Sequence, residues 1–301
     1  MPHSRYINLF TDFGFKKIFG EEQSKPNLIS FLNTLLPPKH HIAELTFSKN
    51  EQQGATALDR KAIFDLNCVS SSGDYFIVEL QKAKQNFFKD RSLFYATFPI
   101  QQQAKSGDWD FKLAAVYTIG ILDFLFEEDR ANPLEREQVI HQIQLKNQHN
   151  QVFYDKLTFI YLTLPNFTKG VNELESIQDK WFFLFRHLHE LEAIPSPLRE
   201  SVFEQLFEQA QIARFRPEER LAYESSLKYY RDLKNVIDTA KGEGWIEGKA
   251  EGKAEGLAEG LAEGELKGRL AIAQKLLTVM DNAQIAAITG LNEGRIESLR
   301  H

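Results

Sequence analysis

Residues 57–82 read ALDRKAIFDLNCVSSSGDYFIVELQK. Two apolar runs, Ala62–Val69 and Tyr75–Leu80, flank the polar segment Ser70-Ser71-Ser72-Gly73-Asp74. Short β-branched and aromatic runs bounded by Ser, Gly and Asp predict a hairpin. Side chains alternate along a strand, so Asp65 shares a face with Ile63 and Asn67, and Glu79 shares one with Ile77 and Gln81. A three-residue loop, Ser71-Ser72-Gly73, puts Gly73 in the left-handed position and pairs Ser70 with Asp74. Asp65 then stands directly opposite Glu79, with Cβ atoms roughly 5 Å apart. A two-residue loop would instead set Asp65 against Leu80, on the wrong face.

Facing carboxylates on an apolar hairpin repel one another, and burial makes each charge harder to hold. A hard divalent ion relieves both penalties, since Mg²⁺ binds through one or two carboxylates together with water and phosphate oxygens. An exposed hairpin face with both acids solvated is the alternative that spacing alone leaves open.

The chain has 301 residues, 43% hydrophobic content and 24 Phe, enough for a sizeable core with an appendage. Its net charge of −6 excludes a global basic field, so any nucleic-acid contact must come from a local patch. The single cysteine, Cys68, excludes an internal disulfide and fits a reducing cytoplasm. Predicted on the face opposite Asp65, it reads as core filling. No run approaches the roughly 18 apolar residues of a membrane helix, and the first residues do not read as a secretory signal.

In chain order, Thr11–Gly20 mixes aromatics with the basic pair Lys16-Lys17. Ser24 is a candidate N-cap for a helix ending before Pro37-Pro38, with Leu28, Phe31, Leu32 and Leu35 buried. Ile42–Ser48 alternates like a strand. Beyond the hairpin, Phe87–Lys105 reads as a helix bent or broken near Pro99, with Arg91 and Tyr95 on one stripe. Leu113–Leu122 is a near-continuous apolar run, as in a strand buried on both faces. Val139–Leu145 and Leu157–Leu164 read as further strands. The order predicts an α/β fold, helices around a mixed sheet. From Val171 the pattern turns helical, around Trp181–Leu188, around Val202–Ile212, and from Pro217 to about Ala240.

Residues 242–268 form a repeat in which glycine recurs every fourth position from Gly244 to Gly268, seven in register. Seven glycines cost a helix roughly 6–7 kcal/mol relative to alanine. The segment is therefore either a helix whose groove receives another backbone, the favoured reading, or a flexible tether. Beyond it, Asp281 and Asn292 are candidate N-caps and Gly290 a candidate terminator for two short helices, Asn282–Thr289 and Glu293–Arg300. The expected organisation is a core over 1–170, a helical extension over 171–241, the Gly/Glu repeat over 242–268 and a small helical module over 269–301.

The runs LDRKAIFDLNCVSSSGDYFIVELQKAKQNFFKDRSLFYA (58–96) and WDFKLAAVYTIGILDF (109–124), with TDFGFKKIFG at the front and the EGKAEG and IAAITGLNEGRIESLR segments behind, resemble the recombination-promoting nuclease and transposase group of the PD-(D/E)XK superfamily. The resemblance covers nearly the whole chain. It implies a restriction-endonuclease-like α/β core followed by an all-helical C-terminal region. By position it implies Asp65 and Glu79 as ligands of Mg²⁺ (or Mn²⁺). Gln81 stands where much of the superfamily has lysine; it can orient water by hydrogen bonds but brings no charge. Asp65, Glu79 and Gln81 would then hydrolyse a phosphodiester of DNA, with Lys16, Lys17 and Arg91 as backbone-phosphate contacts and Tyr95 lining the site. A homodimer, or a larger homo-oligomer, would form through the C-terminal helices. Two other readings share these residues: a nuclease-fold scaffold that binds DNA without cutting it, and a self-assembling interaction protein.

Overall fold

The structure is a computed structural model that describes residues 4–52, 62–104 and 110–299. Residues 57–61 of the opening stretch, Lys105 at the expected helix end and Arg300 at the last one lie outside them. The chain divides into two compact units, Met1–Lys234 and Asn235–His301.

The strands of the first unit are β1 (Leu45–Phe47), β2 (Glu51–Gln52), β3 (Ala62–Ile63), β4 (Leu66–Ser70), β5 (Tyr75–Gln81), β6 (Val116–Leu122), β7 (Ile140–Lys146) and β8 (Val152–Thr163). Six of them build one mixed sheet in the order β1-β4-β5-β6-β8-β7, while β2 and β3 pair separately. β5, β6 and β8 run parallel, and antiparallel pairs close both sides. The helices are α1 (Asp12–Phe19), α2 (Lys25–Asn33), α3 (Phe88–Gln102), α4 (Glu127–Ala131), α5 (Ile177–His187), α6 (Ser201–Ala210) and α7 (Pro217–Leu276), followed in the second unit by α8 (Asn282–Thr289) and α9 (Glu293–Glu297). This is the expected α/β restriction-endonuclease-like architecture, a mixed sheet with helices on both faces. Among the described residues no helix is long and apolar enough to cross a membrane.

Alternation along the strands divides the sheet into two unlike faces. Phe76, Val78 and Leu80 of β5, with Tyr117, Ile119 and Ile121 of β6, join a core closed by α1, α2, α5 and α6. Phe15, Phe19, Phe31, Trp181, Phe185, Phe203 and Phe207 are all essentially buried there. Truncating any one of these rings to alanine would cost about 3–5 kcal/mol. The helical segment beyond Val171 is thus part of the same core as the sheet. Ile77, Glu79 and Gln81 lie on the opposite face, beneath α3. There Gly120 is the parallel neighbour of Glu79, and a Cβ at Gly120 would stand 2.9 Å from Tyr161 Cδ1 and 3.3 Å from Phe88 Cζ. Its lack of a side chain lets those rings close over the sheet. β6 is buried along its whole length, as its apolar run predicts.

The hairpin has the expected register. Leu66 pairs with Val78 and Val69 with Tyr75, and the Ser70 and Gly73 amides donate to Asp74 and Ser70 carbonyls at 2.9 Å. Gly73 takes φ +91, the value the three-residue loop requires. The first strand, however, is not continuous: it breaks at Asp65 into β3 and β4. The Phe64 amide turns to the Asn50 carbonyl at 2.8 Å, and β3 joins β2. In an unbroken ladder the residue-64 carbonyl would accept the Leu80 amide; here the Asp65 carboxylate accepts it at 2.7 Å. A side chain replaces one rung of main chain, and that substitution anchors the acid. The helix over Pro99 is not broken, since α3 continues to Gln102.

In α7 the glycine repeat is continuous helix. A Cβ built at any glycine from Gly242 to Gly268 meets open space. Asp281 caps α8, Gly290 ends it with φ +69 and Asn292 caps α9, the sites read from sequence. Ala273, Ile285 and Ile296 form this unit's small core.

Candidate active site

β5 carries Glu79 and Gln81 near the carboxyl end of a parallel strand, the edge where open α/β sheets place their ligands. Both side chains are buried at 7% exposure. The β4–β5 ladder starts at Leu66 and Val78, so Asp65 lies just outside it, and its amide donates to the Glu79 side chain, to Oε1 at 3.3 Å. The Asp65 main-chain carbonyl accepts from Asn50 Nδ2 at 3.0 Å, so the bend is held from both sides.

Both acids are displaced from ordinary carboxylate behaviour. Burial, then the neighbouring Asp65 carboxylate, pushes the Glu79 carboxyl up to about 8, against the Asp65 amide, Arg91 and Gln81. Asp65 is also raised, first by burial and further by Asp12, while the Leu80 amide, Lys16 and Lys82 oppose the shift. Two anionic groups share one partly dry site with too little positive charge.

Gln81 bridges the pair to α3. Its Nε2 donates to Glu79 Oε2 at 3.4 Å, and its Oε1 accepts from Arg91 at 3.0 Å. Arg91 also bonds Gln85, and its guanidinium lies 5.7 Å from the Phe88 ring centroid and 5.9 Å from that of Tyr95. Tyr95 meets Phe64 edge-on at 5.1 Å; burial, then the Glu79 charge, raises its hydroxyl. Structure thus brings Asp65, Glu79, Gln81, Arg91 and Tyr95 together, and exposed Lys16 adds its field at Asp65. Lys17 takes a different part: its ammonium lies 2.8 Å from Glu219 and 3.2 Å from Glu21, tying α1 to the start of α7. Cys68 is fully buried and its thiol is pushed up to about 12 by burial, as suits a core residue.

Two groups near the site have contacts that the sequence reading does not assign, although Lys82 is expected on the face opposite Gln81. Lys82, on the far face from Gln81, buries its ammonium 2.5 Å from Asp12 of α1 and 5.5 Å from the Tyr229 ring centroid. Its charge nevertheless acts on Asp65, because Asp65 sits where the strand ends and the two faces meet. Asp12 adds a third carboxylate to the same field. Nothing local in TDFGFKK signals the Lys82–Asp12 contact, since it spans 70 positions.

Among the described residues no group of three or more His, Cys, Asp or Glu is arranged around a metal position. The donors available to an ion are therefore two carboxylates, the set from which Mg²⁺ binds with water and phosphate completing its shell. The elevated affinity of both acids for protons is the same deficit of positive charge that a divalent cation would fill. The residues fit such an ion.

No curated protein and no solved structure matches the chain. The family model for PD-(D/E)XK nuclease family transposases matches residues 9–240, from just before the first helix to just before the glycine repeat, and the chain belongs to that family.

Proposed function

We propose that the protein is a metal-dependent DNA endonuclease, with Asp65 and Glu79 holding Mg²⁺ or Mn²⁺ and Gln81 as the third catalytic residue. The observation that carries this reading is the half-buried Asp65 beside the buried Glu79, both carboxyls raised and the Asp65 amide bonded to Glu79 Oε1. A bound ion would polarise a phosphate oxygen and lower the pKa of a water. The remaining work falls to the chain itself. The Leu80 amide fixes Asp65, and the Asp65 amide fixes one oxygen of Glu79, so neither carboxylate must reorganise when charge arrives. Gln81 holds the second Glu79 oxygen and offers an amide dipole to the attacking water. Arg91 orients Gln81 and, together with Lys16, presents positive charge to the phosphodiester backbone, fixing register without reading sequence. Tyr95 lines the site beside Arg91. The lone buried thiol agrees with cytoplasmic residence, and the open glycine rows of α7 agree with a homodimer formed through that helix.

The test is supercoiled plasmid incubated with the wild-type protein, Asp65→Ala and Glu79→Ala, in Mg²⁺ or EDTA. Wild type nicks only with Mg²⁺, and both variants fold and do not cut. Variants that nick like wild type would refute the assignment. Metal-dependent DNA binding without nicking would favour the scaffold reading.

A further inference from the structure

At the start of α3 opens a cleft of about 280 Å³ walled by Phe87, Phe88, Phe124 and Phe126, with Lys84, Lys89, Asp90 and Glu128 also lining it. Phe124 and Phe126 meet edge to face at 5.8 Å, and Phe88 lies 6.2 Å from each, giving an apolar floor. Phe87 stands at the mouth and is 78% exposed. Its φ of +60 and ψ of +27 are a left-handed conformation that bulky side chains seldom adopt. An exposed aromatic ring is thus held in an unfavourable backbone conformation, where folding alone gives no reason for a large apolar side chain.

One ring links the cleft to the acid site. Phe88 lines the cleft, approaches Gly120, the neighbour of Glu79, and has the Arg91 guanidinium 5.7 Å from its ring centroid. The rim lysines are paired with α4, Lys84 with Glu127 at 2.9 Å and Lys89 with Glu128 at 2.6 Å, and the Lys89 ammonium lies 4.5 Å from the Phe126 ring centroid. Both pairs are exposed and weakly held, so a phosphate can take the lysines over. Aromatic rings below and exchangeable cations above make the combination that binds one unstacked base with its backbone.

We propose that this cleft receives a nucleobase unstacked from the DNA strand next to the phosphate at the acid pair, so that the protein prefers single-stranded, frayed or branched DNA to intact duplex. The proposal rests on the endonuclease reading for the position of the strand, and it concerns recognition alone. Phe87 is its cleanest probe. The ring is exposed, and glycine adopts the left-handed conformation freely, so Phe87→Gly removes the ring without harming the fold.

The experiment uses full-length protein in EDTA and an oligonucleotide carrying 2-aminopurine, whose fluorescence falls when it stacks on an aromatic ring. Wild type quenches the single-stranded probe. Phe87→Gly loses the quench and binds that probe about tenfold more weakly, within the range of one base–aromatic stack. Phe87→Tyr restores both, and affinity for the same sequence as duplex changes by less than twofold throughout. Unchanged quench and affinity in Phe87→Gly, or equal losses for single strand and duplex, would overturn the proposal. The two readings fail separately. Quenching by a protein that never nicks with Mg²⁺ removes the endonuclease and leaves the cleft, whereas Mg²⁺-dependent nicking with an inert Phe87 removes only the cleft.

Discussion

Glu79→Gln in metal-free protein tests the physical basis of the site most directly. The Glu79 carboxyl rises from its ordinary 4.5 to about 8 in the fold, chiefly through burial and then through Asp65. Between these values the folded state binds one proton that the unfolded state has released. Stability from this group is therefore complete below pH 4.5 and falls as pH rises towards 8, at about 1.4 kcal/mol per pH unit. The whole window amounts to at most about 5 kcal/mol. Glutamine has nearly the shape of the protonated acid and no proton to lose, so the variant lacks this slope. At pH 5 the two proteins should melt together. At pH 8 in EDTA the wild type should melt lower, by on the order of 10 °C for a unit of this size. Differential scanning calorimetry of both proteins at both pH values cancels the titration of all other groups. Mg²⁺ at pH 8 should recover the wild type and leave the variant where it is, because the ion supplies the charge that the site lacks. Asp65→Asn should narrow the pH window by removing the second cause of the shift. If Glu79→Gln followed the wild type at both pH values, the carboxyl would be adequately solvated and the charge-deficit argument would fall.

Further outcomes concern Gln81 and the tail. Gln81→Lys should keep nicking within an order of magnitude of wild type, since an ammonium replaces the amide donor to Glu79 while Arg91 retains Gln85. Gln81→Leu should lower turnover and leave Mg²⁺ binding by calorimetry intact; loss of metal binding would make Gln81 a ligand. In the tail, cutting the chain after Ala240 should give a folded monomer with an intact metal site and weak double-strand cleavage, and full-length protein should scatter light as a dimer or larger assembly. A monomeric full-length chain, or a truncation that still dimerises, would reduce the repeat to a spacer.

The Asp65–Glu79 juxtaposition was legible because it depends on counting. Period-two alternation, a serine-rich loop and one glycine select one hairpin register, and the structure has that register from Leu66 to Val69. The same local reasoning found the caps at Asp281 and Asn292, since a cap is a contact across three residues. It could not find the break at Asp65, because the competing partner of Phe64 is Asn50, fixed by a separate two-stranded pairing. Nor could it find the true place of Lys17, whose closest carboxylate, Glu219, lies 202 positions away. The glycine repeat was ambiguous for another reason, as glycine's helix penalty is small per residue and long flanking helix overrides it.

Phe87 shows the limit most sharply. In sequence it is the first residue of the stretch, Phe87–Lys105, that reads as a helix. Only the backbone reveals that Phe88 turns inward, that Phe87 remains outside, and that it does so at positive φ. A residue that breaks the local rule while its neighbour obeys it, at the rim of a cleft joined to the acid pair, has a reason to be aromatic that packing does not supply. Sequence periodicity identifies residues that serve the fold; those serving a ligand stand out where they depart from it.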